Sequence, residues 1–422
     1  MIYYQRGSET DILTDDELKA GLHEALAKMG ERNKVLALPP DFTRFHSRAG
    51  LLTEFTWQYY GDKLTDVMPA LGTHVPMSEH EIKKMYGSTP LDLFRIHDWR
   101  NDVVQVGEVP ASFLEEISEN RVSYSWPAQV NKLLVEGGHD LILSVGQVVP
   151  HEVVGMANYN KNIFVGTGGV EGINKSHFLG AAYGMERMMG RANTPVRKVL
   201  NYASENFTNH LPIVYVLTVV GKGPEGKLGV KGLFVGDDME CFEMASELSL
   251  KVNFQMLEKP LKKVVVFLDP EEFKSTWLGN KSVYRTRMAI ADGGELIVLA
   301  PGLKEFGEDK EIDRLIRKYG YLTTPEILKL TDENEELQNN LSAAAHLIHG
   351  SSENRFTITY CPGNLSKQEI ESVNFQYADL NAMTEKYNPG VLKDGFNMVD
   401  GEEVFFISNP ALGLWAYKER FK

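Results

Sequence analysis

Apolar and polar positions in the first third of the chain fall into alternating blocks typical of helices and of buried strands. Thr14 and Glu17 have the spacing of a capping box, which predicts a helix through LKAGLHEALAKM, and the apolar run VLALPPD follows as a strand. The order repeats, with predicted helices at LLTEFTWQYY, at EHEIKKMYG behind a Ser78/Glu81 capping box and at PAQVNKLLVEGG, and strands at LTDVMPAL and LILSV. This alternation predicts a parallel α/β sheet.

The pattern changes after the first half of the chain. LPIVYVLTVVG and KGLFVGD flank a turn of Gly, Pro and Lys, which predicts an antiparallel hairpin, and a helix follows over MECFEMASELSLKV. Alternating elements then resume, with strands at VVVFLD, ELIVLAP, RFTITYC and VFFISNP and helices around SVYRTRMAIAD, EIDRLIRKYG, NEELQNNLSAAAHLI and a Ser366/Glu369 capping box. We expect two α/β domains, residues 1–260 with the tail 401–422 and residues 261–400, with the active site in the cleft between them.

Composition and charge exclude several classes of protein. The 422 residues are 43% hydrophobic and 24% charged, unlike disordered or fibrous chains. The formal charge of −14 argues against non-specific binding of nucleic acid or of an anionic membrane. No apolar run reaches the roughly 18 residues of a membrane span, and MIYYQRGSETDILTDDEL lacks the features of a secretory signal, so we expect a cytoplasmic protein. Cys241 and Cys361 are too few for a disulfide framework or a thiolate zinc site.

Two segments that follow predicted strands contain candidate functional residues. In PPDFTR, the Thr43 hydroxyl and the Arg44 guanidinium suit a phosphate or carboxylate, and Asp41 could hold the arginine or accept from a sugar hydroxyl. A surface turn with a local Asp–Arg pair is the alternative interpretation. In LGTHVP, the imidazole of His74 suits proton transfer near neutral pH, and the alternative is a loop histidine bonded to a carbonyl.

A third segment, LILSVGQVVPHEVVGMANYNKNIFVGTGGVEGINKSHFLG, is the richest. After a strand and a Gly turn come His151, then Lys161 ten residues later, and finally His177. The glycines of GTGG would allow a phosphate to approach the backbone, although most such clusters are ordinary turns. The histidines are too far apart for a common zinc motif, and HExxH is absent from the sequence.

In order and spacing, the three segments resemble the nickel-pincer lactate racemase family. The resemblance consists of D-x-T-R, then G-T-H-x-P, then P-H with a Lys ten residues later and a His sixteen after that. It is most specific over about 41–180 and extends loosely to SVYRTRMAIADGGELIVLAP, which is similar to the family's tyrosine-bearing helix and following strand. It implies a racemase or epimerase that inverts C2 of a 2-hydroxy acid by hydride transfer.

The resemblance also implies a cofactor and its ligands. The family binds a nickel-pincer nucleotide, a pyridinium-derived mononucleotide that is tethered to a lysine, and Lys161 matches that lysine. His177 matches the histidine that completes a planar nickel site, a geometry that Ni(II) accepts readily. Asp41, Thr43 and Arg44 match the segment that helps to hold the nucleotide. Because other proteins must make and insert this cofactor, cofactor-synthesis proteins are implied as partners.

Two histidines suit such a reaction. His74 and His151 match the family's pair that transfers the substrate hydroxyl proton. Inversion passes through a planar keto acid that must accept hydride on either face. The hydroxyl proton must therefore be removed from two directions, and two imidazoles provide one base for each enantiomer.

The sequence departs from the family pattern in two places. Residues 157–160 read Ala-Asn-Tyr-Asn where a Ser-Gly-Gly stretch is common. The family's tyrosine, matched by Tyr284, is usually followed by Gln and then by Lys, but here Arg285 and Met288 take those positions. We expect Arg285 or Arg287 to bind the substrate carboxylate, because guanidinium groups bind carboxylates in bidentate fashion. These departures favour a polyhydroxylated sugar acid, such as an aldonate, over lactate.

Three alternatives remain at this point. The first is a lactate racemase proper. The second is a non-catalytic binding protein for an acidic sugar or nucleotide, although binding alone requires neither a tethering lysine nor a metal-ligand histidine. The third is a metal-dependent hydrolase or dehydratase, for which the sequence offers no carboxylate cluster at recognisable spacing. The leading prediction is an enzyme whose partners are a small 2-hydroxy acid and the cofactor-synthesis proteins, without nucleic acid or membrane.

Overall fold

The computed structural model of the protein describes residues 1–223 and 227–421. The centre of the predicted hairpin turn, residues 224–226, lies outside the described residues. The chain divides into two compact units. Unit 1 comprises Met1–Ser176 and Met189–Asn253, and unit 2 comprises His177–Met188 and Phe254–Lys422.

Unit 1 is built on a mixed six-stranded sheet. The strands of the unit are β1 (Ile2–Gly7), β2 (Val35–Leu38), β3 (Leu64–Val67), β4 (Val103–Val109), β5 (Trp126–Asn131), β6 (Leu141–Gln147), β7 (Pro150–His151), β8 (Gly155–Met156), β9 (Ile213–Lys222) and β10 (Leu228–Gly236). The sheet has the order β1-β10-β9-β6-β2-β3. From β9 to β3 all pairings are parallel, whereas β9–β10 is the predicted antiparallel hairpin. Separate antiparallel pairs are formed by β4 with β5 and by β7 with β8.

Helices pack on this sheet as the amphipathic pattern predicts. The helices up to residue 253 are α1 (Asp15–Met29), α2 (Ala49–Tyr60), α3 (Glu79–Tyr86), α4 (Ala111–Ile117), α5 (Lys132–Glu136), α6 (Val170–Tyr183), α7 (Met185–Met188), α8 (Pro195–Phe207) and α9 (Met239–Asn253). Of these, α7 and the end of α6 from His177 onward belong to unit 2. The two capping boxes predicted in this part of the chain both form, at the starts of α1 and α3. Leu18, Leu22 and Leu26 on one face of α1 are fully buried in the core formed with the sheet. These elements confirm the predicted α/β class.

One predicted helix of unit 1 is largely a strand. PAQVN, expected as the start of a helix, lies in β5, and only KLLVE forms the short helix α5. The side chain of Asn131 accepts a hydrogen bond from the backbone N–H of Leu133, which makes Asn131 the N-cap and starts the helix there. Trp126, Ala128 and Val130 are fully buried at every second position, which is the period of a strand.

Unit 2 has its own, mostly parallel sheet. Its strands are β11 (Phe254–Leu257), β12 (Leu261–Phe267), β13 (Ile290–Ala300), β14 (Thr357–Pro362), β15 (Gln376–Tyr377), β16 (Gly395–Val399), β17 (Glu402–Ile407) and β18 (Leu414–Tyr417). The sheet order is β15-β14-β13-β12-β17-β16, with only β16 antiparallel to its neighbour, and β11 pairs with β18. Because β17 and β18 belong to these sheets, residues 401–421 lie in unit 2, unlike the predicted domain division.

Helices α10 to α17 complete unit 2. They are α10 (Thr276–Gly279), α11 (Lys281–Tyr284), α12 (Lys310–Tyr319), α13 (Thr324–Glu333), α14 (Glu335–Gln338), α15 (Leu341–His349), α16 (Lys367–Ser372) and α17 (Leu380–Lys386). The predicted helix over NEELQNNLSAAAHLI is two helices, because the side chain of Asn340 caps a new start at α15. In residues 1–223 and 227–421, no helix has the length and apolar character needed to cross a membrane.

The predicted helix over SVYRTRMAIAD is also shorter than expected. It ends at Tyr284, and β13 begins at Ile290. The carbonyls of Arg285 and Met288 accept hydrogen bonds from the backbone N–H groups of Trp415 and Tyr417 in β18. A strand from the far end of the chain therefore takes carbonyls that a continuing helix would use for its own hydrogen bonds.

Candidate active site

The candidate active site of unit 1 lies where three neighbouring parallel strands end. β6, β2 and β3 are adjacent in the sheet, so their carboxyl ends share one edge. Asp41, His74 and His151 lie on the loops that follow β2, β3 and β6, respectively. A parallel bridge between Pro40 and Ala70 joins the first two loops. Ligands of open α/β sheets bind at such edges. We call Asp41, Arg44, His74, His151 and Lys161 the carboxyl-edge cluster.

Asp41 and His74 form a hydrogen-bonded pair. Asp41 is buried at the N-cap of a short 3₁₀ helix (Phe42–Ser47), where one carboxylate oxygen accepts from the backbone N–H of Thr43 at 3.2 Å. Nδ1 of His74 lies 2.6 Å from the other carboxylate oxygen. Burial raises the pKa of Asp41, but the hydrogen bonds from His74 and Thr43 and the charge of Arg44 outweigh it and leave the pKa lowered. Donation from Nδ1 makes Nε2 of the exposed His74 the proton acceptor.

The sequence allowed a hydrogen bond between Asp41 and Arg44, but the structure does not contain it. The half-buried Arg44 donates instead to the carbonyl of Thr43 at 3.4 Å. Its charge also acts on His46, a residue that the sequence analysis did not single out. Burial and the charge of Arg44 lower the pKa of His46, while a hydrogen bond with Gln147 raises it. His46 could have been predicted from its position two residues after Arg44, in the same strand-end loop.

Lys161 is the most unusual group of the cluster. Burial lowers the pKa of its amine to about 8, and the charges of Arg44 and Arg197 add to this effect, while Glu152 and Asp41 oppose it. Among the described residues, the amine has no hydrogen bond or ion pair. A lysine pKa near 8 raises the neutral fraction of the amine to roughly one tenth at pH 7, and the neutral amine is the form that reacts with an electrophile.

The backbone around Lys161 is tied to the ends of the central strands. A π-helical turn follows directly after Lys161. It is closed by a hydrogen bond of 3.0 Å from the backbone N–H of Thr167 to the carbonyl of Asn162. The side chain of Asn162 donates to the carbonyl of Leu38 in β2 at 2.9 Å and to the hydroxyl of Ser144 in β6 at 3.0 Å. Such turns are frequent at functional sites, and this one anchors Lys161 at the same sheet edge.

His151 differs from His74 in burial and in the role of its ring nitrogens. It is 8% exposed and belongs to the β7–β8 hairpin. Its Nδ1 accepts a hydrogen bond from the backbone N–H of Val153 at 3.1 Å, so the neutral ring carries its proton on Nε2. The carboxylate of Glu152 lies 3.8 Å from Nδ1 and also acts electrostatically on Lys161. The two histidines thus have opposite tautomers.

The glycines of GTGG have a packing role in the structure. A Cβ atom at Gly168 would lie 1.9 Å from the carbonyl oxygen of Phe164, and one at Gly169 would lie 2.3 Å from the side chain of Gln129. Neither position tolerates a side chain without rearrangement. The carbonyl of Gly168 also accepts a hydrogen bond from the buried His97 at 3.1 Å. Close packing of the protein's own atoms therefore explains these two glycines without a phosphate.

His177 lies on α6 and is half-buried. The division of the chain passes through this helix, and His177 is the first residue of unit 2. Within the described parts of the chain, no group of three or more His, Cys, Asp or Glu side chains is arranged to hold a metal ion. The nickel site implied by the resemblance requires only one histidine from the protein, so that finding does not bear on it.

The remaining predicted residues lie in unit 2 and are buried. Tyr284 is 4% exposed, with its ring 6.0 Å from that of His349. Arg285 is 6% exposed and donates to the carbonyl of Gly413 at 3.0 Å. Arg287 is 3% exposed, and its guanidinium lies 3.6 Å from the carboxylate of Glu186 and 3.5 Å from that of Glu353. Burial lowers the pKa of Arg287, and the two glutamates partly oppose this effect.

Comparisons with known proteins agree with this architecture. Residues 20–188 match the model of the lactate racemase N-terminal domain. The fold is similar to the crystal structure of a protein from Thermotoga maritima, with 24% identity, a TM-score of 0.81, and 96% of this chain and 98% of that chain covered. It is also similar to the lactate racemase apoprotein from Thermoanaerobacterium thermosaccharolyticum, with 16% identity, a TM-score of 0.72, and 98% and 94% covered. No protein with a curated description matches the chain.

Proposed function

We propose that this chain, a member of the lactate racemase-like family in which residues 20–188 match the model of the N-terminal domain, racemises or epimerises a 2-hydroxy acid at C2. One observation carries the proposal: two histidines of opposite tautomer and a lysine of lowered pKa occupy the same edge of a parallel sheet. Inversion at C2 requires one group that accepts the hydroxyl proton and another that donates a proton to the keto oxygen. His74 and His151 have these two forms.

We propose the following roles for the two histidines. Nε2 of His74 accepts the hydroxyl proton of one enantiomer, and Asp41 stabilises the resulting imidazolium through its hydrogen bond to Nδ1. The Nε2–H of His151 donates to the oxygen when the other enantiomer forms. In the reverse direction the roles exchange. Proton transfer by a positioned side chain contributes about 10²- to 10⁴-fold to a rate.

We propose that Lys161 is the attachment point of a nickel-pincer nucleotide. The residues of unit 1 suit this group, because the Lys161 amine has a lowered pKa and no partner among the described side chains. Arg44 supplies a cation for the nucleotide phosphate, whereas the Thr43 hydroxyl, also expected there, donates to the carboxylate of Asp41 and positions the loop. When bound, the cofactor would accept the hydride that leaves C2. Covalent attachment, shown as a mass adduct on the peptide that contains Lys161, tests this assignment directly.

His177 is proposed as the protein ligand of nickel. An imidazole is a suitable donor for planar Ni(II). His177→Ala should remain folded but lose nickel, whereas a control substitution of the exposed His80 should retain it. Elemental analysis of both variants, purified after co-expression with the cofactor-synthesis proteins, measures the difference. Full nickel content in His177→Ala would assign the ligand to another residue.

We further propose a polyhydroxylated sugar acid, such as an aldonate, as the substrate. The proposal rests on Arg285 in place of the family's Gln and on Met288, which is buried, in place of its Lys. Arg285 is the proposed ligand of the substrate carboxylate, because a guanidinium can bind it through two nitrogens. Tyr284 is the proposed neighbouring contact to the substrate.

The experiment that tests the function uses protein produced together with the cofactor-synthesis proteins. The enzyme is incubated in deuterated water with lactate, malate, phenyllactate and several aldonates, and the C2 epimers are followed by NMR. We expect aldonate epimerisation without deuterium at C2, because a transferred hydride does not exchange with solvent. Fast lactate turnover without aldonate activity would identify a lactate racemase instead. Rapid deuterium incorporation would contradict hydride transfer, and inactivity of adduct-bearing protein on every acid would contradict the function.

A further inference from the structure

We propose that Arg197 is a positioning residue that clamps the segment Met156–Asn160 and thereby presents the amine of Lys161 at the carboxyl edge. The importance of Lys161 rests on the function proposed above. The clamp itself rests on contacts within unit 1 and can be measured without any cofactor.

Arg197 is fully buried on α8 and has three acceptors, all of them in this segment. One terminal nitrogen donates to the carbonyls of Met156 at 2.7 Å and of Asn158 at 3.1 Å. The other donates to the side-chain oxygen of Asn160. Within the described residues, no carboxylate forms an ion pair with Arg197. A buried cation without a counter-ion is costly, so hydrogen bonds to the segment are what stabilise it there.

The clamped segment has a backbone that requires such support. Asn158 and Tyr159 have φ values of +66° and +58°, in the left-handed region that residues with a Cβ atom rarely adopt. The ring of Tyr159 stacks on that of Phe242 at 5.2 Å, and the guanidinium of Arg197 lies 4.2 Å from the same Phe242 ring. Arg197 and Phe242 thus hold the two residues that set the direction in which the chain enters Lys161.

Asn160 extends the clamp to the next turns of α8. Its side-chain nitrogen donates to the side-chain oxygen of Asn201 at 2.7 Å and to the hydroxyl of Ser204 at 3.2 Å. Asn160 is itself fully buried and directly precedes Lys161. These contacts use Asn158 and Asn160, which belong to the stretch where the sequence departs from the small residues of the family. The departure supplies one of the three acceptors of Arg197, the side-chain oxygen of Asn160, while the other two are backbone carbonyls.

The test compares Arg197→Met with Lys198→Met, which removes one positive charge from the exposed neighbouring position of the same helix. The first measurement is hydrogen exchange of the peptide covering 156–162 in cofactor-free protein. We expect exchange to become about tenfold faster or more in Arg197→Met and to stay unchanged in Lys198→Met. Arg197→Lys should restore only part of the protection, because an ammonium cannot reach all three acceptors in the fixed geometry of a guanidinium.

The second measurement is the pH dependence of Lys161 acetylation, read by peptide mass spectrometry. We expect a midpoint near pH 8 in the wild type and in Lys198→Met, and a higher midpoint in Arg197→Met, because the charge of Arg197 that lowers the pKa of Lys161 is lost and the amine becomes solvated. Arg197→Lys keeps the charge, so a higher midpoint in that variant reports solvation alone. Asn160→Ala removes one acceptor without changing the charge and should shift exchange and midpoint in the same directions by less. This variant decides the matter if Arg197→Met does not fold.

The clamp would be refuted if folded Arg197→Met shows the hydrogen exchange and the acetylation midpoint of the wild type. If Arg197→Met does not fold, the same result in Asn160→Ala would refute it. Loss of the Lys161 adduct in the wild type, with the exchange effects intact, would refute the proposed function but not the clamp. If the Lys161 adduct forms as fast in Arg197→Met as in the wild type, Arg197 orders the backbone of the segment but does not present the amine of Lys161.

Discussion

The carboxyl edge of unit 1 and the α11 region of unit 2 both contain side chains that the sequence marks as functional, but these side chains differ in how far the protein already uses them. At the carboxyl edge, the Lys161 amine has no partner among the described residues, and His74 is exposed. In unit 2, Arg287 is buried between two glutamates and Arg285 binds a backbone carbonyl. The first region has groups available for chemistry. In the second, Arg287 is engaged in structure, and Arg285 is the group that we propose for the substrate carboxylate.

The difference follows from the local backbone. Loops after parallel strands end at an open edge, where a side chain need not fill a core. The residues after α11 instead lie against β18, which bonds to the carbonyls of Arg285 and Met288. A long cationic side chain in such a place requires internal partners. Position after a strand is therefore a stronger indication of chemistry than residue type alone, and the following predictions test this conclusion.

The largest expected effect is that of Lys161→Ala. Without the amine no covalent adduct can form, so the mass shift and the activity should disappear together. Intact-mass spectrometry of protein co-expressed with the cofactor-synthesis proteins measures the adduct. Lys198→Ala on the exposed face of α8 is the control and should retain it. An adduct that persists in Lys161→Ala would show that the cofactor is attached to another residue, and the carboxyl edge would lose its main reactive group.

Substitution of either histidine should have the next largest effect. His74→Gln and His151→Gln should each lower kcat by about 10²- to 10⁴-fold in both directions, because each direction needs one imidazole to accept and the other to donate. Steady-state kinetics from both epimers measure this loss. The exposed His80→Gln on α3 should behave as the wild type. A variant that keeps the wild-type kcat from both epimers would show that the substituted histidine is not required for proton transfer.

Substitutions of the two arginines of unit 2 should have different effects, one on the stability of the protein and the other on substrate binding. Arg287→Met removes the buried cation from Glu353 and leaves Glu186 paired with Arg355, and it should lower the free energy of unfolding by about 2–4 kcal/mol. Arg285→Met should instead raise the substrate KM by roughly tenfold or more, since it removes the proposed carboxylate ligand. Denaturant unfolding and kinetics on both variants measure the two effects. A raised KM in Arg287→Met with unchanged stability would reverse the assignment.

The smallest effect concerns the Asp41–His74 pair and depends on pH. The pKa of Asp41 is lowered in the folded protein, so its contribution to stability is present above the ordinary carboxyl pKa and is lost as pH falls through the lowered value. Asp41→Asn should therefore cost about 1–3 kcal/mol at pH 7 and progressively less in acid.

Thermal unfolding from pH 7 to pH 3 measures this dependence. Asp15→Asn, which removes one member of an exposed pair with Arg48, is the control and should change stability by about 1 kcal/mol or less. A loss in Asp41→Asn that does not depend on pH would show that the carboxylate charge is not what stabilises the loop.

The sequence alone determined the elements whose signals are local. A capping box needs only residues three apart, and for this reason the starts of α1, α3 and α16 were predictable. Strands that are apolar throughout stand out from amphipathic helices, which placed Asp41, His74 and His151 on strand-end loops. Local signals failed where a partner distant in the chain decides the structure, as in β5, which pairs with β4, and in the residues after α11, which bind β18.

Only the tertiary structure decided which functional groups meet. The strand order β6-β2-β3 is not encoded in any local pattern, yet it brings the three loops to one edge. It pairs Asp41 with His74, thirty-three positions away, and not with the neighbouring Arg44. The lowered pKa of Lys161 likewise depends on burial and on charges from other elements. Residue types and their spacing are properties of the chain, whereas distance, burial and tautomer arise only when distant segments pack together.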